Sequence, residues 1–398
     1  MAAGVAGAAA FGMFAETACD VGGDARVQAA VAAFDQVDEP GHRGDCPTPA
    51  RGGGWSSPRV ARDRGRPMRP GFASMTLAVL LAGGAASACP APADAVTRPG
   101  PIEGGAACEG RGPARAELEA LKAGGWVVAD DGARQRLALG LLDCLGHPDP
   151  AVRDGIAYAA LAHWLRADAL DLVTRRTMLV RLQRELVHAD FDGIDMSCVG
   201  RPAALPGPGF RAPFAALVLS EVARTDRFAP WLDAGQRAEL VEVATSYVAA
   251  VRDWRGFDET EGWRHGVAHG ADLLMQLALN PALEKPQLDA ILGAVASQVA
   301  PPGHFYVYGE SERLARPVLF VLQRGQHDDA DWRAWLERVA APAPMTAWSD
   351  AFTSQTGLAK RHDTRAFLLA LHVYLATSGD PALAARAAAV ADVLRTID

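Results

Sequence analysis

One short segment of this sequence concentrates the side chains best suited to chemistry. On a helix, which turns about 100° per residue, Glu261, His265, His269, Asp272 and Gln276 fall on one narrow stripe. Apolar side chains occupy the opposite side. An acid, two imidazoles, a second acid and an amide would therefore line one edge of an otherwise apolar helix.

The stripe contains the donor atoms of a zinc site. His265 and His269 stand one helical turn apart, a spacing at which two imidazoles can share a metal ion. Asp272 is the third candidate metal ligand, and Glu261 is the candidate catalytic residue, as a general base. The metalloprotease motif requires Glu directly after the first His, whereas Gly266 stands there. We therefore expect no cofactor, and keep a zinc-dependent hydrolase as the alternative.

Two other interpretations of the stripe remain open, a ligand pocket and a purely structural helix edge. From His265 to Ala278 the one charged residue is Asp272, whereas a solvent-facing helix edge usually carries several. Gly266 and Gly270 each cost about 1 kcal/mol relative to Ala in a helix, and they would let another backbone or a ligand approach closely. Both features favour a stripe that is buried or lines a cleft.

A run of aromatic and acidic residues supplies further candidates. Tyr306, Tyr308, Glu312 and Arg313 would line a cleft shared with the histidine helix if the two segments are neighbours. In the alternative interpretation, the aromatic rings pack in the core and acidic residues start the next helix. The ligand-binding candidates are Trp263, His265, His269, Asp272, Tyr306, Tyr308, Glu312 and Arg313.

Apolar residues recur at helical spacing through most of the chain. The pattern predicts helices over 114–123, 132–145, 150–166, 170–188, 211–226, 233–253, 261–279, 285–299, 310–324, 330–340, 361–378 and 381–397. Strand-like alternation is confined to Phe305–Tyr308, which we interpret as an extended connector. His147–Arg153 resembles the opening of a HEAT-type helix. We therefore predict an all-α fold over 113–398, with α/α helix pairs stacked as a HEAT-like solenoid.

Composition narrows the class of partner. The chain has 398 residues, 49% of them hydrophobic, so it can bury a large core. Its formal net charge is −8 and no basic run occurs. This argues against nucleic acid or an anionic membrane as the main partner. We expect a protein or small-molecule partner of unknown identity.

The N-terminal region resembles that of a bacterial exported protein. Residues 68–88 contain a short positive region, an apolar region and an A-x-A cleavage site, which predict a signal peptide. The apolar region is too short to span a bilayer comfortably. We interpret 1–67 as an upstream extension, either misannotated, with the true start at Met68, or disordered. Residues 89–112 are rich in Pro, Gly and Ala, as linkers are.

Cys89 follows the predicted cleavage site directly and is the lipidation candidate. Lipoprotein signals normally carry Leu three residues before that cysteine, where this chain has Ala86. We therefore favour release to the periplasm or the exterior over a lipid anchor, which would be the one expected membrane contact.

Export permits disulfide bonds, because they persist in oxidising compartments. We prefer the pair Cys108 and Cys144, which would tie the entry segment to the first helices. Cys198 competes for either partner. No C-x-x-C motif occurs, so a zinc knuckle is not indicated.

The segment Gly262–Leu274 resembles the signature of a bacterial family known as domain of unknown function 2785. Glu312–Ala315 and Arg365–Leu371 are similar to later blocks of that family, and the likeness covers about 130–396. Where the family tends to have Arg-Ser-Phe-Ser, this chain has Arg211–Phe214, reading Arg-Ala-Pro-Phe, so a ligand contact through those hydroxyls is in doubt. The resemblance implies an all-helical domain, and it does not indicate which activity, if any, the domain has.

Taken together, the sequence predicts an exported helical-repeat protein of the cell envelope. Its most favoured function is that of a ligand- or protein-binding module. The cleft would be centred on His265, His269 and Asp272, and the alternative is a metal-dependent hydrolase that uses the same stripe.

Overall fold

Helices dominate the part of the chain that the structure describes. The computed structural model describes residues 106–108, 111–187 and 209–397. The predictions for the extension, the signal peptide, Cys89, most of the linker and Cys198 lie outside the described residues. Within the described ranges the fold is mostly helical, as predicted. No helix in those ranges combines the length and apolarity that crossing a membrane requires.

The N-terminal part combines a small hairpin with short helices. In chain order its elements are β1 (Ala106–Cys108), β2 (Arg111–Ala114), α1 (Arg115–Ala123), α2 (Asp131–Leu141), a 3-10 helix (Leu142–Gly146), α3 (Pro150–Val152), a π-helix (Arg153–Tyr158), α4 (Ala159–Arg166) and α5 (Leu172–Val187). Cys108 and Cys144 form a disulfide between β1 and the 3-10 helix, which is the pair preferred from the sequence.

Longer helices follow in the C-terminal part. Its elements are α6 (Arg211–Phe228), α7 (Ala234–Ala250), β3 (Phe257–Asp258), β4 (Gly262–Trp263), α8 (Gly266–Ala278), α9 (Lys285–Gln298), α10 (Glu310–Gln323), α11 (Asp329–Val339), a 3-10 helix (Trp348–Thr353), α12 (Gln355–Thr377) and α13 (Pro381–Arg395). The connector Phe305–Tyr308 is not a strand, in agreement with the sequence interpretation.

Helix α8 begins five residues later than the predicted start at Glu261. The preceding residues form an antiparallel hairpin in which Phe257 pairs with Trp263. His265 then adopts a left-handed conformation, with φ of 52°, directly before the helix. The prediction that Glu261 shares the helical stripe was therefore wrong, because Glu261 lies in the hairpin.

The long helices form two neighbouring rows. Helices α6, α8, α10 and α12 pack side by side in that order, and α5, α7 and α9 pack beside one another against them. Phe214 near the start of α6 contacts His269 near the start of α8. Tyr308, just before α10, contacts His265 through its carbonyl. The first turns of α6, α8 and α10 therefore gather at the same end of the described structure.

Two glycines of α8 allow α7 to approach closely. A Cβ atom at Gly270 would stand 2.7 Å from Cγ2 of Val248, and one at Gly266 would stand 3.5 Å from the Tyr247 hydroxyl. The close approach predicted from these glycines is therefore made by a neighbouring helix.

Polar side chains fix the opposite end of the helix row. The Asp226 carboxylate accepts hydrogen bonds from Arg237 and Asn280, at 2.7 and 2.9 Å. The Arg324 guanidinium donates to the carbonyls of Ala278 and Asn280, where α8 ends. These contacts satisfy carbonyl groups that a helix end leaves without partners, and they hold α8 at a fixed position.

Candidate functional site

Hydrogen bonds to the Asp258 side chain stabilise the turn of the hairpin before α8. Oδ1 of Asp258 accepts hydrogen bonds from the backbone N–H groups of Thr260 and Glu261, at 2.8 and 2.9 Å. Gly262 has a φ of 73°, a conformation that side-chain-bearing residues rarely adopt. The turn thus brings Phe257 and Trp263 onto paired strands.

Arg153 of the π-helix anchors the hairpin by hydrogen bonds. Its guanidinium is fully buried and donates to the carbonyls of Glu261 and His147, at 2.8 and 2.9 Å. The Phe210 ring lies 3.9 Å from the Arg153 guanidinium carbon and 4.2 Å from that of Arg264. The hairpin is therefore attached to a segment more than 100 residues earlier in the chain.

Glu261 is paired within the hairpin. Its Oε2 accepts a hydrogen bond of 2.7 Å from Nη2 of Arg264, and both residues are buried. This ion pair occupies the carboxylate that the hydrolase hypothesis needs as a general base.

His265 links the hairpin to the connector before α10. Its Nε2 lies 3.1 Å from the Tyr308 carbonyl, and since a carbonyl can only accept, Nε2 carries the proton. The ring lies against Trp263, with centroids 4.2 Å apart. Burial, aided by the charge of Arg313, lowers the pKa of His265 to about 3. The imidazole is therefore neutral at neutral pH.

His269 lies deeper, one turn further along α8. Its ring is nearly perpendicular to the Phe214 ring, with centroids 5.0 Å apart. Burial is the main cause that holds the pKa of His269 well below its usual value, and the neighbouring His265 and Arg313 add to this. Its Nδ1 is buried without a hydrogen-bond partner.

Asp272 is neutralised by Arg313 of α10. Nε of Arg313 donates to Oδ1 at 3.1 Å and Nη2 donates to Oδ2 at 2.5 Å. The rings of His265 and His269 are nearly perpendicular, with centroids 6.0 Å apart. In this arrangement the three candidate metal ligands do not converge. Among the described residues, no group of three or more His, Cys, Asp or Glu side chains is placed to hold a metal ion.

A cluster of partly exposed rings covers this polar layer, and we name Phe257, Trp263 and Tyr308 the aromatic patch. Trp263 contacts Phe257 at 4.9 Å and Tyr308 at 5.8 Å between centroids, the latter at 90°. Phe257 and Tyr308 are 40% and 38% exposed, and the neighbouring Val307 is 67% exposed. Large apolar side chains grouped at a surface often mark a binding site.

Phe257 was not among the sequence candidates. The signal that would have found it is the pairing of two aromatic residues across an acidic turn, which indicates a hairpin.

The other sequence candidates divide between core and surface. Tyr306 is buried, with its N–H donating to Oδ1 of Asp363 at 2.9 Å and its hydroxyl 3.4 Å from Oε1 of Gln298. This matches the structural interpretation of that aromatic residue. Glu312 is exposed in the first turn of α10. Arg313 forms an ion pair with Asp272.

Two buried carboxyl groups beside the site were not ligand-binding candidates. Glu310 was interpreted as a helix-start residue and does begin α10, and Asp363 was not singled out. Oε2 of Glu310 accepts the Tyr308 N–H at 2.9 Å, and burial raises the pKa of this carboxyl. Burial, together with the charge of Glu310, raises the pKa of Asp363 to about 7. Oδ2 of Asp363 has no hydrogen-bond partner. In sequence, these two acids stand on different helices and show no shared motif.

Comparison with known families gives one match. Residues 209–373 match the family described as "Protein of unknown function (DUF2785)", which confirms the predicted resemblance over this range. The matched range includes the aromatic patch, His265, His269 and Asp272. Neither the curated proteins nor the solved structures contain a match to the chain.

Proposed function

We propose that residues 209–373, the range that matches the DUF2785 family, form a binding module whose ligand contacts the aromatic patch. The observation that carries the proposal is that Trp263 contacts both Phe257 and Tyr308, two partly exposed rings. Aromatic rings are large and lose little conformational entropy on binding, and for this reason they are frequent in binding surfaces.

The contacts beneath the patch support a rigid surface. Trp263 rests on the His265 ring, and His265 holds the Tyr308 backbone through its Nε2–H. Arg153 anchors the hairpin through the Glu261 carbonyl. A surface held in this way changes little when a ligand binds, which lowers the entropic penalty of binding.

The protonation states support binding over hydrolysis. His265 and His269 are neutral, because burial lowers the pKa of each ring. Asp272 is matched by Arg313, and Glu261 is matched by Arg264. A metal-dependent hydrolase built on these residues would need both carboxylates to leave their arginine partners.

The proposal includes the predicted architecture and location. The side-by-side packing of α6, α8, α10 and α12 supports a HEAT-like stack that presents the first turns of these helices to a ligand. The Cys108–Cys144 disulfide supports an oxidising compartment, such as the periplasm or the exterior. Mass spectrometry of the full chain expressed in a bacterium, carried out on the cytoplasmic, periplasmic and culture fractions, tests export. An unprocessed chain confined to the cytoplasm would contradict it.

A ligand screen followed by thermal unfolding tests the binding function. We expect ligands that raise the Tm of the unchanged protein but not that of Phe257→Ala or Tyr308→Ala. The Tyr308 contact with His265 uses the backbone carbonyl, so it survives in Tyr308→Ala. Phe352→Ala is the control, because Phe352 is 62% exposed and far along the chain. Ligands that stabilise all four proteins equally would place the site elsewhere.

A further inference from the structure

We infer that the aromatic patch binds a cationic group, an organic ammonium or a guanidinium. This inference rests on the proposed function and names the class of its ligand. It follows from the charge of the two segments that carry the patch, residues 256–263 and 306–312.

These two segments are acidic without any basic residue. They contain Asp258, Glu259, Glu261, Glu310 and Glu312, and no Lys or Arg. Glu259 and Glu312 are exposed, so their charges face the solvent from which a ligand arrives. Charges of one sign around a cleft attract ligands of the opposite sign.

The arginines that flank these two segments are all paired with carboxylates. Arg255 pairs with Asp253, Arg264 pairs with Glu261, and Arg313 pairs with Asp272. Their positive charges are therefore balanced inside the protein and do not offset Glu259 or Glu312 at the surface.

The aromatic rings of the patch also favour a cationic ligand. The face of an aromatic ring carries negative electrostatic potential, and Trp and Tyr attract cations within about 6 Å of the ring centroid. Phe257 and Tyr308 flank Trp263 and are each partly exposed. A cation gains from the rings and from the acidic residues together, whereas a neutral ligand of the same shape gains from the rings alone.

Choline and 3,3-dimethyl-1-butanol make a matched pair of probes, because they differ in a quaternary nitrogen against a quaternary carbon. Binding to the full chain is measured by saturation-transfer NMR and calorimetry, with methylguanidinium as a second cation. We expect the cations to bind about tenfold or more tightly than the neutral alcohol, and expect added NaCl to weaken them. A tenfold ratio corresponds to about 1.4 kcal/mol.

Variants separate the contribution of the acidic side chains to binding from that of the aromatic rings. The double variant Glu259→Gln/Glu312→Gln should weaken cation binding several-fold and leave the neutral alcohol unchanged. Tyr308→Ala should weaken both probes. Glu337→Gln, at an exposed acid of α11, is the matched control and should change neither.

The outcomes distinguish the inference from the proposed function. If the neutral alcohol binds as tightly as choline and Tyr308→Ala abolishes both, the binding surface stands and the cationic class is overturned. If neither cation binds, the inference is likewise overturned. If cations bind equally well to Tyr308→Ala, Phe257→Ala and the unchanged protein, then the patch is not the site and both proposals fail.

Discussion

Asp272 and Arg313 form a two-point ion pair between α8 and α10, with both carboxylate oxygens accepting from the guanidinium. The pair is almost fully buried, so removing the cation leaves a carboxylate without compensation. We expect Arg313→Ala to lower the free energy of unfolding by about 3–5 kcal/mol, as measured by urea denaturation. The control is Arg395→Ala, which breaks an exposed ion pair with Asp392 and should change stability by less than about 1 kcal/mol. Equal effects would contradict the buried pairing.

His265 should make the fold weaker in acid. Its pKa falls to about 3 in the folded protein, below the value near 6.5 in an unfolded chain. Between these values the unfolded state binds more protons, so stability decreases as the pH falls from 6.5 towards 3. The slope from this residue reaches about 1.4 kcal/mol per pH unit.

The variant His265→Asn isolates this effect, because Asn tolerates the left-handed conformation of residue 265. The stability difference between the two proteins should shrink as the pH falls. A difference that stays constant from pH 7 to pH 4 would show that His265 is not held neutral.

Asp363 should change the pH dependence of stability in the direction opposite to His265. Its pKa rises from an unfolded value near 3.8 to about 7 in the folded protein. Between these values the folded state binds more protons, so this residue lowers stability as the pH rises from 4 to 7. Asp363→Asn keeps an oxygen for the Tyr306 N–H and removes the titration. We expect the variant to gain stability relative to the unchanged protein as the pH rises, measured by denaturation at several pH values. A parallel pair of pH profiles would contradict the shifted pKa.

Two glycines in helices provide a test of close packing. A Cβ at Gly270 would stand 2.7 Å from Cγ2 of Val248, a stiff β-branched side chain. A Cβ at Gly293 in α9 would meet nothing within 4 Å. We expect Gly270→Ala to destabilise by about 1–3 kcal/mol through overpacking, and Gly293→Ala to stabilise by up to about 1 kcal/mol. Thermal unfolding compares the two, and a stabilised Gly270→Ala would contradict the α7–α8 contact.

Much of the helical frame is readable from the sequence because its signals are local. The predicted helix 285–299 is observed as Lys285–Gln298. Asp233 is a residue type that favours helix starts, and its side chain accepts the Gln236 N–H at the first turn of α7. Apolar spacing and capping residues act within a few turns, so neither depends on distant parts of the chain.

The candidate site was harder to predict because it depends on distant contacts. The hairpin replaced the expected first turn of α8, and its Glu261 carbonyl is held by Arg153. Asp363 acquires its shifted pKa from burial and from Glu310 on another helix. Neither contact leaves a periodic pattern near these residues. His265, His269 and Asp272 were singled out because their spacing is helical. His269 and Asp272 lie on α8, His265 lies directly before it, and Arg313 pairs with Asp272.

The position of Arg153 has a consequence for how the chain can be divided. The family match starts at Gly209, yet this arginine supplies donors to the hairpin, and Arg166 pairs with Glu221 of α6 from the same earlier region. A fragment that starts at residue 209 would lack Arg153 and Arg166. The buried Glu261 carbonyl and the buried Glu221 carboxylate would then lose these hydrogen-bond donors. We therefore expect the smallest piece able to fold by itself to be larger than the range that matches the family, with a boundary upstream of α3.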